Sequence, residues 1–342
     1  MSEMQTIELG EVVLDHGTGA KLSGELVALL TAALGDVYLG EMEDSAVVPL
    51  ESGIIAMTTD SFVITPIFFK NGDIGKVAVC GTVNDLAVSG ARPRYLTLSI
   101  VVEVGFAIAD LLTIMRSIRA TAIEANVKIV AGDTKVVDRG EVDKIFLNTA
   151  GVGSFERPPL SARKVVAGDK IILSGYLGNH SIHILSMREG LGFEDRVPSD
   201  CAPLNAMIEQ VLCASSVGAV RAIRDVTRGG LAAVMHEFAK VTGLTLEVEE
   251  ARLPILRETA MAADMLGVNP IHLANEGCIC LFVDPAEEAQ VLAALQAHTY
   301  GRIARTIGVV TPTREAQVAM VQADGSTKLL EELVGAEIPR LC

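Results

Sequence analysis

Tryptophan is missing from this chain of 342 residues, and other aromatic side chains are scarce, with 4 tyrosines and 9 phenylalanines. Basic residues are also few: 28 lysines and arginines stand against 43 acidic residues, which gives a formal net charge of −15. Proteins hold nucleic acids with basic patches and stack single-stranded bases on aromatic rings. We therefore expect no nucleic acid among the partners.

Three further features are absent from the sequence. The six cysteines include no CxxC pair, the start "MSEMQTIELG" has no charged-then-apolar leader, and no apolar run reaches membrane-spanning length without a charge or a Gly or Pro break. These absences predict a protein of the reducing cytoplasm with no membrane partner. Half of the residues are hydrophobic, so a chain of this length can bury the cores of two domains.

Helix-like and strand-like patterns alternate in both halves of the chain. The N-terminal half predicts a hairpin over 45–64, helices over 76–90 and 109–127, and three more strands. The C-terminal half predicts five strands and helices at 179–190, 205–223, 229–243, 255–266 and 286–298. We predict the α+β class, with two mixed α/β domains, 1–155 and 156–330, whose sheets each have one covered face, and a flexible tail, 331–342.

Five segments place an aspartate beside small or apolar residues. They are "MEDSAVV" with Asp44, "TTDSFV" with Asp60, "GTVNDLAVSGARP" with Asn84 and Asp85, "VAGDTKVV" with Asp133 and Lys135, and "IRDVTRGGL" with Asp225, Thr227 and Arg228. Each aspartate taken singly has an ordinary interpretation as a turn or surface residue. Together they predict converging hard oxygen ligands, which suit Mg²⁺ shared with substrate phosphates.

Two glycine-rich stretches are candidates for phosphate contact. "TRGG" begins a predicted helix, with Thr227 as its predicted cap and free backbone N–H groups that favour an anion. "HGTGAK" at 16–21 is the second, and by itself it is weak evidence.

The sequence ends in "AEIPRLC", which places Cys342 last. An exposed end thiol is prone to oxidation, so one interpretation is that its position is accidental. The other is that a flexible arm carries the thiol because a group is attached to it and then moved. The tail alone leaves both interpretations open.

The motifs "GTVNDLAVSGARP", "AGDTKVV", "RDVTRGGL", "ANEG" and "PRLC", in this order over essentially the whole chain, resemble the HypE family of hydrogenase-maturation carbamoyl dehydratases. That family is part of a larger PurM-like group that includes aminoimidazole ribonucleotide synthetase, selenophosphate synthetase and thiamine-monophosphate kinase. The first three motifs are shared more loosely across the group. The cysteine after Pro-Arg-Leu is the feature that distinguishes HypE.

The resemblance implies PurM-like domains, with an N-terminal sheet domain that forms a homodimer and the nucleotide site, and ATP and Mg²⁺ as cofactors. It implies that HypF carbamoylates Cys342, that ATP then drives dehydration to a thiocyanate, and that a HypC–HypD complex is a further partner. The product would supply the cyanide ligand for the iron of [NiFe]-hydrogenase.

The resemblance also implies roles for particular residues. The metal ligands would be Asp44, Asp60, Asp85 and Asp133. The nucleotide would contact Asn84, Asp85, Thr227, Arg228, Gly229, Gly230, Thr18 and Gly19. The catalytic residues would be Cys342, Lys135 at the transferred phosphate, and Glu276 as general base, with His272 in reserve.

The chain departs from the family pattern at two motifs. It has "HGTGAK" for "HGSGG", and "GNHS" at 178–181 for "GDHG", so Asn179 is given no metal role. His180 and His183 stand one helical turn apart; a packing role is favoured over a metal pair.

Two other functions stay open. The protein could be another PurM-like synthetase or small-molecule kinase, or a carrier that presents Cys342 without catalysis. Dependence of ATP turnover on Cys342 separates these functions.

Overall fold

The computed structural model describes residues 10–13, 21–38, 53–313 and 315–332. The elements of the N-terminal half are α1 Lys21–Leu34, β1 Ile55–Phe62, β2 Phe68–Phe69, β3 Gly72–Asp73, α2 Ile74–Val88, β4 Arg92–Glu103, α3 Ile108–Glu124, β5 Lys128–Val137 and β6 Ile145–Ser154. Four of these strands form one sheet in the order β1-β6-β4-β5, and β2 pairs with β3 in a short hairpin. Only β4 and β5 are parallel within the larger sheet.

Helices α2 and α3 cover one face of this sheet. The predicted stripe Leu111, Ile114, Ile118 and Ala122 of α3 is fully buried, which confirms the helical periodicity. Helix α2 begins where the carboxylate of Asp73 accepts the backbone N–H of Lys76 at 3.0 Å, a side-chain cap.

The described residues leave the other face of the N-terminal sheet open. Met57 of β1 is 71% exposed, and its partner Val152 on β6 is also partly exposed. Because side chains alternate between the two faces of a strand, this outer face carries every second residue of the four strands. The N-terminal sheet therefore has one covered face, as predicted.

The C-terminal half is built around a seven-stranded sheet in the order β13-β12-β9-β11-β7-β10-β8. Its elements are β7 Lys170–Leu173, α4 Asn179–Glu189, α5 Asn205–Ala214, β8 Val220–Asp225, α6 Gly230–Thr242, β9 Leu246–Glu249, α7 Arg257–Leu266, β10 Ile279–Val283, α8 Glu288–Ala297, β11 Arg305–Val310, β12 Val318–Val321 and β13 Thr327–Leu329. The prediction of a single covered face is wrong at the centre of this sheet. Every residue of β10 is buried, with Phe282 packed on the α6 side and Leu281 on the α5 and α8 side.

One predicted helix is wrong in its second part. The structure ends α5 at Ala214 and begins strand β8 at Val220. Ser215 follows the helix in an extended conformation, and Gly218 at φ 87° allows the turn that leads into β8. β8 matters for the site because it ends at Asp225.

The two halves share hydrophobic contacts. Ala87 and Val88 of α2 belong to the cluster beneath α5 and α8, while Ile184 and Leu185 of α4 belong to the N-terminal cluster. The connection between the two sheets runs from Ser154 to Lys170. The predicted boundary at 155/156 lies in this connection and stays a prediction. Among the described residues, no helix is long and apolar enough to cross a membrane.

Candidate active site

Three carboxylates meet where the two halves join: Asp60 of β1, Asp85 of α2 and Asp225 at the end of β8. The hydroxyl of Thr58 donates to Oδ2 of Asp85 at 2.9 Å. Thr58 and Asp60 are two residues apart in β1, so both side chains point toward α2. Asp60 is within hydrogen-bonding reach of Asp85, and the charge of Asp85 acts in turn on Asp225. The site thus draws on both domains.

The electrostatics of this cluster favour a cation. Burial, and after it the neighbouring charge of Asp60, raise the pKa of Asp85 to about 6, while Thr58 and Arg224 act in the opposite sense. Burial also raises the pKa of Asp225, and the charge of Asp85 adds to that effect. Carboxylates whose pKa is raised by burial beside another carboxylate are stabilised by a nearby positive ion.

The donor set suits Mg²⁺ completed by a nucleotide. Within the part of the chain that the structure describes, no group of three or more His, Cys, Asp or Glu side chains is placed to hold a metal ion by itself. Mg²⁺ is commonly bound by one or two carboxylates together with waters and substrate phosphates. One or two of these aspartates therefore fit an ion whose coordination is completed by waters and nucleotide phosphates.

Asp133 does not join this cluster within one chain. It pairs with Ser99 of β4, which pairs with Asn148 of β6, which pairs with Ser61 of β1. Paired residues share a face of the sheet, so Asp133 lies on the outer face. Asp60 lies on the opposite face, since its partner Thr149 is buried against α2.

Lys135 accompanies Asp133 on the outer face. The two side chains form an ion pair of 3.3 Å, which confirms that they project from the same face of β5. Both are more than half exposed. From this face they are better placed to contact a second copy of the chain than to contact Asp60 and Asp85 of the same chain. Their predicted roles stay predictions.

The turn before α6 differs from the predicted cap. The N-cap is Gly229 at φ 77°, and the side chain of Thr227 is hydrogen-bonded to Asp225 instead. A Cβ at Gly230 would stand 2.5 Å from the carbonyl oxygen of Ile271, so only glycine fits this close packing. Arg228 remains exposed beside the helix start.

Asn84 joins the two domains. Its amide oxygen accepts the N–H of Leu204 at 2.7 Å, and its NH₂ group donates to the carbonyl of Ala202 at 3.1 Å. The side chain is 4% exposed. The structure thus gives Asn84 a connecting role, and its contact with a nucleotide stays a prediction.

Glu276 lies in the segment that follows this junction. It is 6% exposed, its carbonyl accepts the N–H of Ala202, and the preceding Asn275 donates its N–H to the carbonyl of Val226, the residue after Asp225. Its negative charge also contributes, after burial and the neighbouring Cys80, to raising the pKa of Cys201. Glu276, the predicted base, is therefore held next to the end of β8, because its neighbour Asn275 is bonded to the residue that follows Asp225.

His272 faces a different space. It lies in a single turn, Pro270–His272, and lines a groove of about 380 Å³ together with Leu330 and Glu331. Glu276 is not among the residues that line this groove. The structure therefore separates the two predicted alternatives for the general base.

His180 of "GNHS" and the nearby His183 make packing and hydrogen-bond contacts rather than forming a metal pair. Nε2 of His183 accepts the backbone N–H of Lys70 at 3.1 Å, and its Nδ1 lies 2.8 Å from the carbonyl of Val197. Nδ1 of His180 bonds the hydroxyl of Ser199. Asn179 accepts a hydrogen bond from Thr259. Among these contacts, the hydrogen bond between His183 and Lys70 joins the β2–β3 hairpin to α4.

Four predicted site residues, Thr18, Gly19, Asp44 and Cys342, lie outside the described residues. Two other acidic residues of this region are not among the site residues that the resemblance implies. Asp225 stood in a recognised motif at a strand end, which was a usable signal. Asp200 carried no signal, since its importance depends on contacts with residues 75 or more positions away.

Models of known families match both halves of the chain. The N-terminal domain of AIR synthase related proteins matches residues 42–155, and their C-terminal domain matches residues 166–321. A curated relative, the carbamoyl dehydratase HypE of Bradyrhizobium diazoefficiens, is 40% identical over 338 residues, which are 98% of this chain and 97% of the relative.

Solved structures extend the similarity to three dimensions. The crystal structure of the hydrogenase maturation protein HypE in complex with ATP is 39% identical with a TM-score of 0.91, and the match covers 96% of this chain and 99% of the other. A crystal structure of a HypE–HypF complex matches at 40% identity and a TM-score of 0.79, over 83% of this chain and 92% of the other.

Proposed function

Since the chain belongs to the family of HypE carbamoyl dehydratases, we propose that it uses ATP to dehydrate an S-carbamoyl group on Cys342 to a thiocyanate. The thiocyanate supplies the cyanide ligand for the iron of [NiFe]-hydrogenase. The observation that carries this proposal is the meeting of Asp60, Asp85 and Asp225 at the domain junction, beside the segment that holds Glu276.

ATP binds at the junction with Mg²⁺. Asp60 and Asp85 would hold the ion from this chain, with Asp225 beside them and with Asp44 and Asp133 as further ligands. The ion, when bound, neutralises charge between these carboxylates and the phosphates. Arg228 and the backbone N–H of Gly229 face the nucleotide. Gly230, whose own N–H donates to the carbonyl of Thr227 at 2.9 Å, keeps this turn close enough to contact it. Asn84, Thr227, Thr18 and Gly19 complete its surroundings.

The chemistry follows from the poor leaving ability of an amide oxygen. The carbonyl oxygen of the thiocarbamate attacks the γ-phosphorus of ATP and expels ADP. Glu276 takes a proton from the nitrogen, the C–O bond to phosphate breaks, and both N–H protons have left when S–C≡N forms. Lys135 stabilises the transferred phosphoryl charge. The sum is S–CO–NH₂ + ATP → S–C≡N + ADP + phosphate + H⁺.

A homodimer completes the site. The outer face of the N-terminal sheet exposes apolar side chains such as Met57, and a second copy can cover them. Asp133 and Lys135 lie on that same face. They therefore enter the site of the second copy, which explains why one chain does not bring them to Asp60.

The protein partners follow from the order of reactions. HypF supplies the carbamoyl group, in keeping with the HypE–HypF complex formed by a relative. A HypC–HypD complex receives the cyanide.

Intact mass tests the proposed function. Incubation with HypF and a carbamoyl donor should add one carbamoyl group, and Mg–ATP should then remove one water. The Cys342→Ala variant should show neither change. A protein that keeps the carbamoyl group in Mg–ATP is a carrier, and one whose ATP turnover is unchanged in Cys342→Ala is a small-molecule enzyme; either result contradicts the proposal.

A further inference from the structure

Asp200 binds the main chain around Glu276. One carboxylate oxygen accepts the backbone N–H of Glu276 at 3.0 Å, and the other accepts the side-chain NH₂ of Asn275 at 2.7 Å. The N–H of Gly277 also bonds this carboxylate. Three consecutive residues are thus tied to a single side chain.

The remaining contacts leave this segment little freedom. Asn275 is fully buried; its side-chain oxygen accepts the N–H of Gly178 at 3.0 Å, and its NH₂ group also donates to the carbonyl of Tyr176 at 2.7 Å. A Cβ at Gly277 would stand 1.8 Å from the carbonyl oxygen of Asp200, so the two backbones touch. The segment is held from both sides by residues distant in sequence.

We propose that Asp200 is the positioning residue for Glu276, fixing the direction in which that side chain meets the reacting nitrogen. The inference rests on the proposed function, in which Glu276 is the base. Asp200 itself touches neither substrate nor nucleotide, because its two oxygens are occupied by the segment Asn275–Gly277.

A positioning role makes a definite kinetic prediction. Displacement of a catalytic group by about 1 Å can lower a rate roughly 100-fold without weakening substrate binding. Loss of one of these hydrogen bonds should therefore lower the rate of dehydration and leave the KM for ATP almost unchanged.

The test variant is Asp200→Asn, which keeps the size of the side chain. Either orientation of the new amide places NH₂ against a donor, Glu276 N–H or the NH₂ of Asn275, so at least one hydrogen bond is lost. The matched control is Asp169→Asn. Asp169 is also buried, at 1% exposure, and its carboxylate also accepts a backbone N–H, that of Val166. It lies before the start of β7, whereas the end of β7 lies near the segment of Glu276, so Asp169 is distant from that segment.

The experiment follows water loss from the carbamoylated protein by intact mass, over a series of ATP concentrations, with unfolding midpoints as a second measurement. We expect Asp200→Asn to lower kcat about 10-fold to 100-fold with a change in KM below about 3-fold, and Asp169→Asn to leave kcat within about 2-fold. If Asp200→Asn fails to fold, Asn275→Ala, which removes the donor to Asp200, should show the same separation of kcat from KM.

The remaining outcomes are distinct. Equal kcat values for Asp200→Asn and Asp169→Asn, or a loss confined to the KM for ATP, overturn the inference. Glu276→Gln serves as the reference for the proposed function: if that variant loses water at the wild-type rate, Glu276 is not the base and both proposals fail together. If Glu276→Gln is inactive and Asp200→Asn is not impaired, the positioning role alone fails.

Discussion

Asp85 is placed where its charge is unfavourable in the free protein. It is partly buried in α2, faces Asp60, and receives only a hydroxyl hydrogen bond from Thr58 and a distant attraction from Arg224. A residue chosen for stability alone would be apolar at this position. The unfavourable charge of Asp85 is consistent with a site in which the ligand brings a positive ion that neutralises it.

This reasoning predicts the effect of Asp85→Ala on nucleotide binding. Loss of a metal ligand should weaken Mg–ATP affinity roughly 10-fold or more, while removal of an unfavourable charge should not lower the free energy of unfolding by much. Calorimetry with Mg–ATP measures the first effect. The exposed Asp264→Ala is the control. Equal affinities for the two variants, or tight ATP binding to the wild type in EDTA, would rule out the metal-bridged site.

The sequence identifies some of these residues and not others for a physical reason. Asp60, Asp85 and Asp225 are recognisable because each stands in a local pattern of apolar residues at the end or on the face of one element. The role of Asp200 depends on hydrogen bonds to residues 275–277, and no local pattern encodes such long-range contacts.

At the scale of elements, the β2–β3 hairpin is joined to α4 by neutral histidines. His183 accepts a hydrogen bond from the backbone of Lys70, and Phe69 packs edge-on against the rings of both His180 and His183. Burial lowers the pKa of His180 to about 3 and also lowers the pKa of His183. Of the charges near His183, Glu194 raises the pKa of His183 and Lys70 lowers it.

Stability should therefore fall with acidification in a defined window. A histidine whose folded pKa is depressed binds its proton mainly in the unfolded state, so its contribution is complete above pH 6.5 and is lost as the pH falls below that value. Between pH 7.5 and 5.5, His180 alone should lower the free energy of unfolding by about 1.4 kcal/mol, and His183 should add to this loss. Denaturant unfolding at the two values measures it. A His180→Asn variant with an undiminished pH dependence would contradict the assignment.

Element boundaries show where sequence patterns mislead. Residues 205–223 are apolar at a helix-like spacing, yet the second part of the segment is strand β8, because the sheet offers it pairing with β10 and Gly218 allows the turn. Residues 279–283 form a continuous apolar strand. That pattern is typical of a strand buried on both faces, and the structure confirms it against the simpler expectation of one covered face.

At the scale of the whole molecule, the two domains and the α+β class follow from alternating patterns that each domain contains within itself. The contacts at the junction of the two domains do not follow from such patterns, because Asn84 and Asp200 bond to residues in distant parts of the sequence. The open outer face of the N-terminal sheet, by contrast, agrees with the predicted single covered face, because buried and more exposed positions alternate along β1 and β6.

The outer face gives the last prediction, which concerns Met57→Glu. Met57 is 71% exposed on β1, so the substitution should leave the fold of one chain intact. If the homodimer forms through this face, a charge there should raise the dissociation constant of the dimer at least about 10-fold, because it would be buried without a partner. Mg–ATP affinity should fall in parallel if, as proposed, Asp133 and Lys135 enter the site from the second copy. Sedimentation velocity with calorimetry measures both quantities, and Met265→Glu, at a 65% exposed position on α7, is the matched control. A monomeric variant that binds Mg–ATP as tightly as the wild type would show that the outer face contributes nothing to nucleotide binding.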